Sequence, residues 1–124
     1  MRVLLADDDR DQLAVREMLL EKCGFETLVA SDPKSALMVA VEEHPACAVI
    51  DLGLPTLEAG LGLIRKLKEL DRELYILVLT GSRSTALENR PELSLVDAVI
   101  EKGSPSARLI QRLKEIENLR RTGS

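Results

Sequence analysis

Residues 46–51 read ACAVID, a run of five apolar residues that ends in an aspartate. Continuous apolar runs of this length are typical of strands that are buried on both faces of a parallel sheet. Residues 2–7 (RVLLAD) and residues 74–80 (LYILVLT) share this design, since each leads from an apolar run into a polar side chain. The repeated pattern predicts a parallel sheet at the centre of the protein.

Amphipathic segments separate these apolar runs. Asp9 is placed to cap a first helix, and Pro33 and Pro105 favour helix starts because proline loses no hydrogen bond in the first turn. Further apolar strands are predicted at residues 25–30 and 96–100. The chain therefore alternates strand and helix five times, which predicts a single doubly wound α/β domain with helices on both faces of the sheet.

The length and composition indicate one globular domain, since the chain has 124 residues, of which 45% are apolar and 31% charged. We assign residues 1–118 to this domain and residues 119–124 to a helix end, a linker or an appended tail. The net charge of −4 and the lack of a basic stripe argue against nucleic-acid binding by the domain itself. No apolar run is long enough for a bilayer span or a secretory signal, so we expect a cytoplasmic protein without membrane contact.

Polar side chains stand where four of the predicted strands end: Asp7 and Asp8, Asp51, Thr80 and Lys102. In open α/β sheets, ligands bind outside the carboxyl ends of the strands, so these side chains are expected to share one rim. Crowded carboxylates repel one another, and Mg²⁺ relieves this because it prefers oxygen ligands. The array offers no histidine or cysteine ligand. The sequence therefore predicts a Mg²⁺ site in which a lysine and a threonine hold a dianionic group.

Four short segments carry a resemblance to a known family: Val3–Asp8, Val49–Leu52 with Pro55, Val78–Thr80 and Ile100–Lys102. In this order and at these separations, the chain resembles the receiver domain of the response-regulator family of two-component signalling. The resemblance covers essentially the whole chain. Together with the strand–helix alternation, it leads us to expect a five-stranded sheet with the flavodoxin-like strand order 2-1-3-4-5.

The resemblance implies a role for each rim residue. Asp51 stands at the position of the phosphoacceptor, with Thr80 and Lys102 as the hydroxyl and ammonium groups that contact the phosphoryl group. The metal site would comprise four residues: Asp8 as a direct Mg²⁺ ligand, Asp7 acting mainly through water, Asp51, and Gly53 through its backbone carbonyl.

The resemblance also implies the partners. The phosphoryl group would come from a phosphohistidine on a sensor histidine kinase or a histidine phosphotransfer protein. The signal would pass to an output domain, either fused or separate. Such a domain catalyses only its own phosphoryl transfer and dephosphorylation, so we do not expect a classical enzyme.

Four positions depart from the usual family pattern. Ala59 stands where glycine is usual and Gly60 follows it, which suggests a one-residue insertion in the loop before the third helix. Gly103 replaces the frequent proline after Lys102, and Val99 replaces the usual aromatic switch residue. Residues 84–94 contain a proline and a weak apolar stripe, so a helix there should be short or irregular.

Two alternatives to a phosphorylated switch stay open at this point. The first is a receiver-like scaffold that binds partners without phosphorylation, which the missing aromatic residue at Val99 favours. The second is a small phosphatase with an aspartate nucleophile. Such enzymes typically carry a D-x-D motif and a cap domain, and neither is evident here.

Overall fold

The computed structural model describes residues 1–81 and 89–122. Strands and helices alternate in the predicted order: β1 (Arg2–Ala6), α1 (Arg10–Lys22), β2 (Glu26–Ala30), α2 (Pro33–Glu43), β3 (Cys47–Asp51), α3 (Leu57–Leu70), β4 (Tyr75–Thr80), a short 3₁₀ helix (Pro91–Leu95), β5 (Ala98–Glu101) and α4 (Ser106–Thr122). We predicted a short or irregular helix at residues 84–94, and residues 84–88 lie outside the described part of the chain. The end of this segment forms the 3₁₀ helix.

The sheet has five parallel strands in the order β2-β1-β3-β4-β5, which confirms the predicted architecture. The central strand β3 is buried along its whole length, as its uninterrupted apolar sequence predicts. The register pairs Asp51 on β3 with Leu79 on β4, and Thr80 with Glu101 on β5. The carboxyl ends of these strands therefore lie side by side at one edge of the sheet.

Two apolar layers sandwich the sheet. One layer joins residues of β1, β3 and β4 to α2 and α3, with Ala36 and Ile64 fully buried. The other joins the opposite face to α1 and α4, with Leu20 and Leu113 fully buried. Helices on both faces follow from strands whose side chains are apolar on both sides. None of the described helices is long and apolar enough to cross a membrane.

Side-chain caps fix where the helices begin. The Asp9 carboxylate accepts hydrogen bonds from the backbone N–H groups of Asp11 and Gln12, which confirms its predicted role as a helix cap. Asp32 caps α2 through the Ser35 N–H, at 2.8 Å. The last helix continues through Thr122.

The start of α3 corrects one expectation from the sequence. We expected a loop through Gly60, but Thr56 caps the helix by accepting a hydrogen bond from the Ala59 N–H, so α3 begins at Leu57. Gly60 therefore lies in the first turn of the helix. A Cβ atom at Gly60 would overlap the backbone carbonyl group of Leu52, immediately after β3. Glycine is required there because the helix packs directly on the loop that follows Asp51.

This close approach predicts that Gly60→Ala destabilises the protein by about 1–3 kcal/mol, because either α3 or the loop must move to make room for the methyl group. The free energy of unfolding in urea measures the change.

Gly62→Ala is the matched control, since a Cβ there meets only the end of the Arg65 side chain, at 3.7 Å. Alanine favours the helix over glycine, so this variant should gain about 0.5–1 kcal/mol. Equal unfolding free energies for the two variants would show that α3 does not depend on this contact.

Candidate functional site

The carboxyl edge of the sheet brings together the polar side chains that end the strands. Asp7 follows β1, Asp51 ends β3 and Thr80 ends β4, and all three are buried. Asp8 is exposed. Asp7, Asp8 and Asp51 each offer a carboxylate oxygen, and these oxygens lie within 4.8 Å of one another. We call these three residues the acid cluster.

Lys102 supplies a positive charge directly to the acid cluster. Its Nζ donates a hydrogen bond of 2.8 Å to Oδ2 of Asp51. The other carboxylate oxygen of Asp51, Oδ1, accepts a hydrogen bond of 3.2 Å from the Gly53 N–H. The backbone also holds Lys102 in place, because its N–H donates a hydrogen bond to the carbonyl of Thr80, the last residue of β4.

The environment raises the pKa of the Asp51 carboxyl above its usual value. Burial is the main cause, and the neighbouring Asp7 adds to it. The hydrogen bonds from Lys102 and Gly53 oppose the shift without cancelling it. The negative charge of Asp51 is therefore only partly compensated by its surroundings.

Asp7 has a different environment, because it forms an ion pair with Arg16 of α1. Its Oδ1 also accepts a hydrogen bond of 2.9 Å from the Asp9 N–H. Burial acts to raise the pKa of Asp7, but the hydrogen bonds from Arg16 and Asp9 outweigh it, and the pKa lies below its usual value. Asp7 is thus ionised and held in place by the protein itself.

The donor set of the acid cluster suits Mg²⁺. It consists of carboxylate oxygens, which hard divalent cations prefer, and it lies at an edge where water can complete the coordination shell. The remaining repulsion between the carboxylates favours a cation at this point. The residues present therefore fit a Mg²⁺ ion.

A shallow cavity of about 410 Å³ opens beside Asp51. Thr80 and Lys102 line it, together with Leu57 at the start of α3 and the small residues Gly53 and Gly81. The small residues leave space above the carboxylate, so a group of the size of a phosphoryl can approach Asp51 from this side.

The structure brings Asp7, Asp8, Asp51 and Lys102 together, with Thr80 at the same edge. Gly53 follows Asp51 in the same loop and contacts it through its N–H. Arg16 was missed by the sequence analysis. One feature of the sequence could have revealed it: Arg16 lies three residues after Leu13, on the buried side of α1, where an apolar residue is expected.

Two of the departures noted in the sequence have a visible place in the structure. Val99 is half-buried in β5 and packs against the core layer formed by α2 and α3. Gly103, after Lys102, adopts a φ of +91°, a backbone conformation that favours glycine. This turn connects β5 to α4.

Comparison with known proteins identifies related sequences. A family profile described as "Response regulator receiver domain" matches residues 3–114. The transcriptional regulatory protein PrrA of Mycobacterium bovis is 36% identical over 124 residues, which are 99% of this chain and 52% of that protein. The chain thus spans about half the length of the curated relatives it matches first.

Solved structures share the fold. A response regulator receiver domain from Clostridium thermocellum superposes with a TM-score of 0.88 at 21% identity, covering 99% of this chain and 98% of that one. The response regulator TrrA of Thermotoga maritima, solved in complex with Mg²⁺-BeF, gives a TM-score of 0.83 at 18% identity, covering 93% and 97% of the two chains.

The raised pKa of Asp51 predicts that Asp51→Asn stabilises the protein at pH 7 in the absence of divalent ions. Since the pKa is higher in the folded state than the usual value of 3.8, ionisation of Asp51 opposes folding as the pH rises above that value. Removing the charge should therefore raise the urea midpoint at pH 7 and have little effect near pH 3.

Asp9→Asn is the control, because it also removes one negative charge next to the acid cluster. Asparagine and aspartate are about equally good N-caps, so the start of α1 should be kept. Its midpoint should stay close to that of the wild type. With Mg²⁺ present, the wild type should gain more stability than Asp51→Asn. A midpoint for Asp51→Asn at or below that of Asp9→Asn, without divalent ions, would contradict the prediction.

Proposed function

The chain belongs to the response regulator receiver domain family, and from this premise we propose that it is a signalling switch that accepts a phosphoryl group on Asp51 with Mg²⁺. The observation that carries the proposal is the contact between Lys102 and Asp51 within the acid cluster. This contact places a nucleophilic carboxylate, a fixed ammonium group and a cation site around one cavity.

We assign the Mg²⁺ ion to Asp8 and Asp51, with Asp7 acting mainly through water and Gly53 contributing its backbone carbonyl. Asp8 is the exposed acid of the cluster, so it can take up an ion from solvent with little rearrangement. Mg²⁺ bound there would offset the negative charge of the carboxylates and of an incoming phosphoryl group.

Asp51 acts as the nucleophile. One of its carboxylate oxygens forms a bond to phosphorus, while the bond from phosphorus to the imidazole nitrogen of the donor breaks and its electrons stay with the nitrogen. Negative charge is spread over the equatorial phosphoryl oxygens, and Lys102 and the Thr80 hydroxyl stabilise it. No general base is needed, because Asp51 attacks as a carboxylate.

The donor we propose is a phosphohistidine on a sensor histidine kinase or a histidine phosphotransfer protein. PrrA of Mycobacterium bovis is a transcriptional regulatory protein about twice as long as this chain. By analogy with this relative, we propose that the signal passes to a fused or separate output domain that controls transcription. With a net charge of −4, this domain itself is poorly suited to contact DNA.

Val99 favours a second candidate, a scaffold that binds its partners without phosphorylation. A valine cannot make the large movement of an aromatic switch residue. In the phosphorylated switch, the signal would instead pass through a smaller repacking of Val99 against the α2–α3 core layer. The two candidates differ in whether Asp51 takes up a phosphoryl group at all.

Incubation with radiolabelled acetyl phosphate or a labelled phosphohistidine donor, with Mg²⁺, should label the wild type and not Asp51→Asn. The label should be lost on alkaline treatment, as expected for an acyl phosphate. Beryllofluoride should bind the wild type only when Mg²⁺ is present. Asp9→Asn keeps the helix cap and should be labelled normally.

A wild type that stays unlabelled with both donors would favour the scaffold. Equal labelling of Asp51→Asn would show that the phosphoryl group is carried by another residue.

Lys102→Met should lower the rate of labelling by about 10²-fold, because it removes one of the groups that stabilise charge in the transition state. Because Asp51 loses its ion-pair partner in this variant, circular dichroism must first show that the protein is folded under the labelling conditions. The rate is measured from the initial uptake of label from acetyl phosphate.

Lys114→Met is the matched control, because it removes a lysine from the exposed side of α4. It should label at the wild-type rate. The same rate for Lys102→Met and Lys114→Met would exclude a direct role for Lys102.

A further inference from the structure

Arg16 occupies an unusual position on α1. It lies three residues after Leu13 and four before Leu20, both of which are buried against the sheet, so it shares their side of the helix. Its side chain is only 14% exposed. A guanidinium group on the buried side of a helix loses hydration, and this cost must be offset by a specific partner.

The partner of Arg16 is Asp7, whose side chain is 1% exposed. The pair therefore lies almost entirely within the protein, between α1 and the carboxyl end of β1. Among the described residues, the acid cluster thus has two basic side chains as partners, since Arg16 pairs with Asp7 and Lys102 pairs with Asp51. Asp8 stays exposed to solvent.

We propose that Arg16 is a built-in counter-cation that holds Asp7 in place and lowers the affinity of the acid cluster for Mg²⁺. The inference rests on the proposed function, since it concerns the regulation of the same site. A fixed positive charge in contact with one of three carboxylates repels a divalent cation at their meeting point. It also occupies an oxygen of Asp7, which is then less able to hold metal-bound water.

The same ion pair keeps the acid cluster stable when no metal is bound. Without Arg16, Asp7 would be a buried carboxylate that has lost its ion-pair partner and keeps the hydrogen bond from the Asp9 N–H. Arg16 is therefore a positioning residue: it acts on the metal through Asp7. Its presence means that half-occupancy of the site requires a higher Mg²⁺ concentration than in a cluster without the arginine.

The test measures Mg²⁺ binding alone, by isothermal titration calorimetry of the full chain. Arg16→Met should tighten binding by about tenfold or more, because it removes the repelling charge while retaining an unbranched side chain of similar length. In the absence of metal, the same variant should melt at least ~5 °C lower, because Asp7 loses its partner. Added Mg²⁺ should recover most of this loss.

Two further variants make the result specific. Arg16→Gln removes the charge but keeps a donor for Asp7, so it should tighten Mg²⁺ binding with a smaller loss of stability, and it serves if Arg16→Met does not fold. Lys22→Met is the matched control, since it removes one positive charge from the exposed far end of the same helix. Its dissociation constant for Mg²⁺ should stay within about twofold of the wild-type value.

The outcomes separate this inference from the proposed function. Unchanged or weaker Mg²⁺ binding by both Arg16 variants would overturn the role of Arg16, even if Asp51 is labelled normally. A gain of Mg²⁺ affinity in Arg16→Met and Arg16→Gln would support it, even if no donor labels Asp51. If neither the wild type nor the Arg16 variants bind Mg²⁺, both proposals fail.

Discussion

The arrangement of charged side chains in this protein is constrained by the repulsion among three carboxylates at one edge of the sheet. Two of the three acids, Asp7 and Asp51, are buried, and ionised carboxylates are costly to bury unless they are paired or hydrogen-bonded. The protein meets this cost by two ion pairs from opposite sides, one from α1 and one from the turn after β5. The compensation is partial, since the pKa of Asp51 is still raised.

Incomplete compensation is what suits the site to the chemistry that we propose. A cluster that was fully neutralised would have no remaining attraction for a divalent cation, and a cluster without any pairing would oppose folding. Asp7 is tied to the protein, whereas Asp51 keeps a poorly compensated charge beside an open cavity. The two buried carboxylates therefore differ: Asp7 is held by an ion pair inside the protein, and Asp51 is the one that we propose to react.

The backbone around the cavity is positioned by packing that leaves little freedom. Gly60 lets the first turn of α3 lie directly on the backbone of Leu52, one residue after Asp51. The Leu52 N–H donates to the Leu79 carbonyl of β4, so the start of this loop is also held to the sheet. The geometry near Asp51 therefore depends on α3 as much as on the strand that carries the residue.

The amino-acid sequence by itself determined the alternation of strands and helices, the cap at Asp9 and the polar residues that end the strands. These features are local, because apolar periodicity and capping depend on neighbours along the chain. The family resemblance then identified the roles expected of Asp51 and Lys102. The start of α3 was misplaced, because glycine usually breaks helices and the cap at Thr56 was not recognised.

Only the tertiary structure decided which charges compensate each other. Arg16 lies nine residues from Asp7, and no pattern along the chain states this pairing. Lys102 lies 51 residues from Asp51, and the sequence placed both at one rim without stating that they form an ion pair. Both pairings arise from the strand register, which aligns the ends of β1, β3 and β5, and from the packing of α1 on the sheet. Electrostatic balance at the site is a property of distances in space, and folding sets those distances.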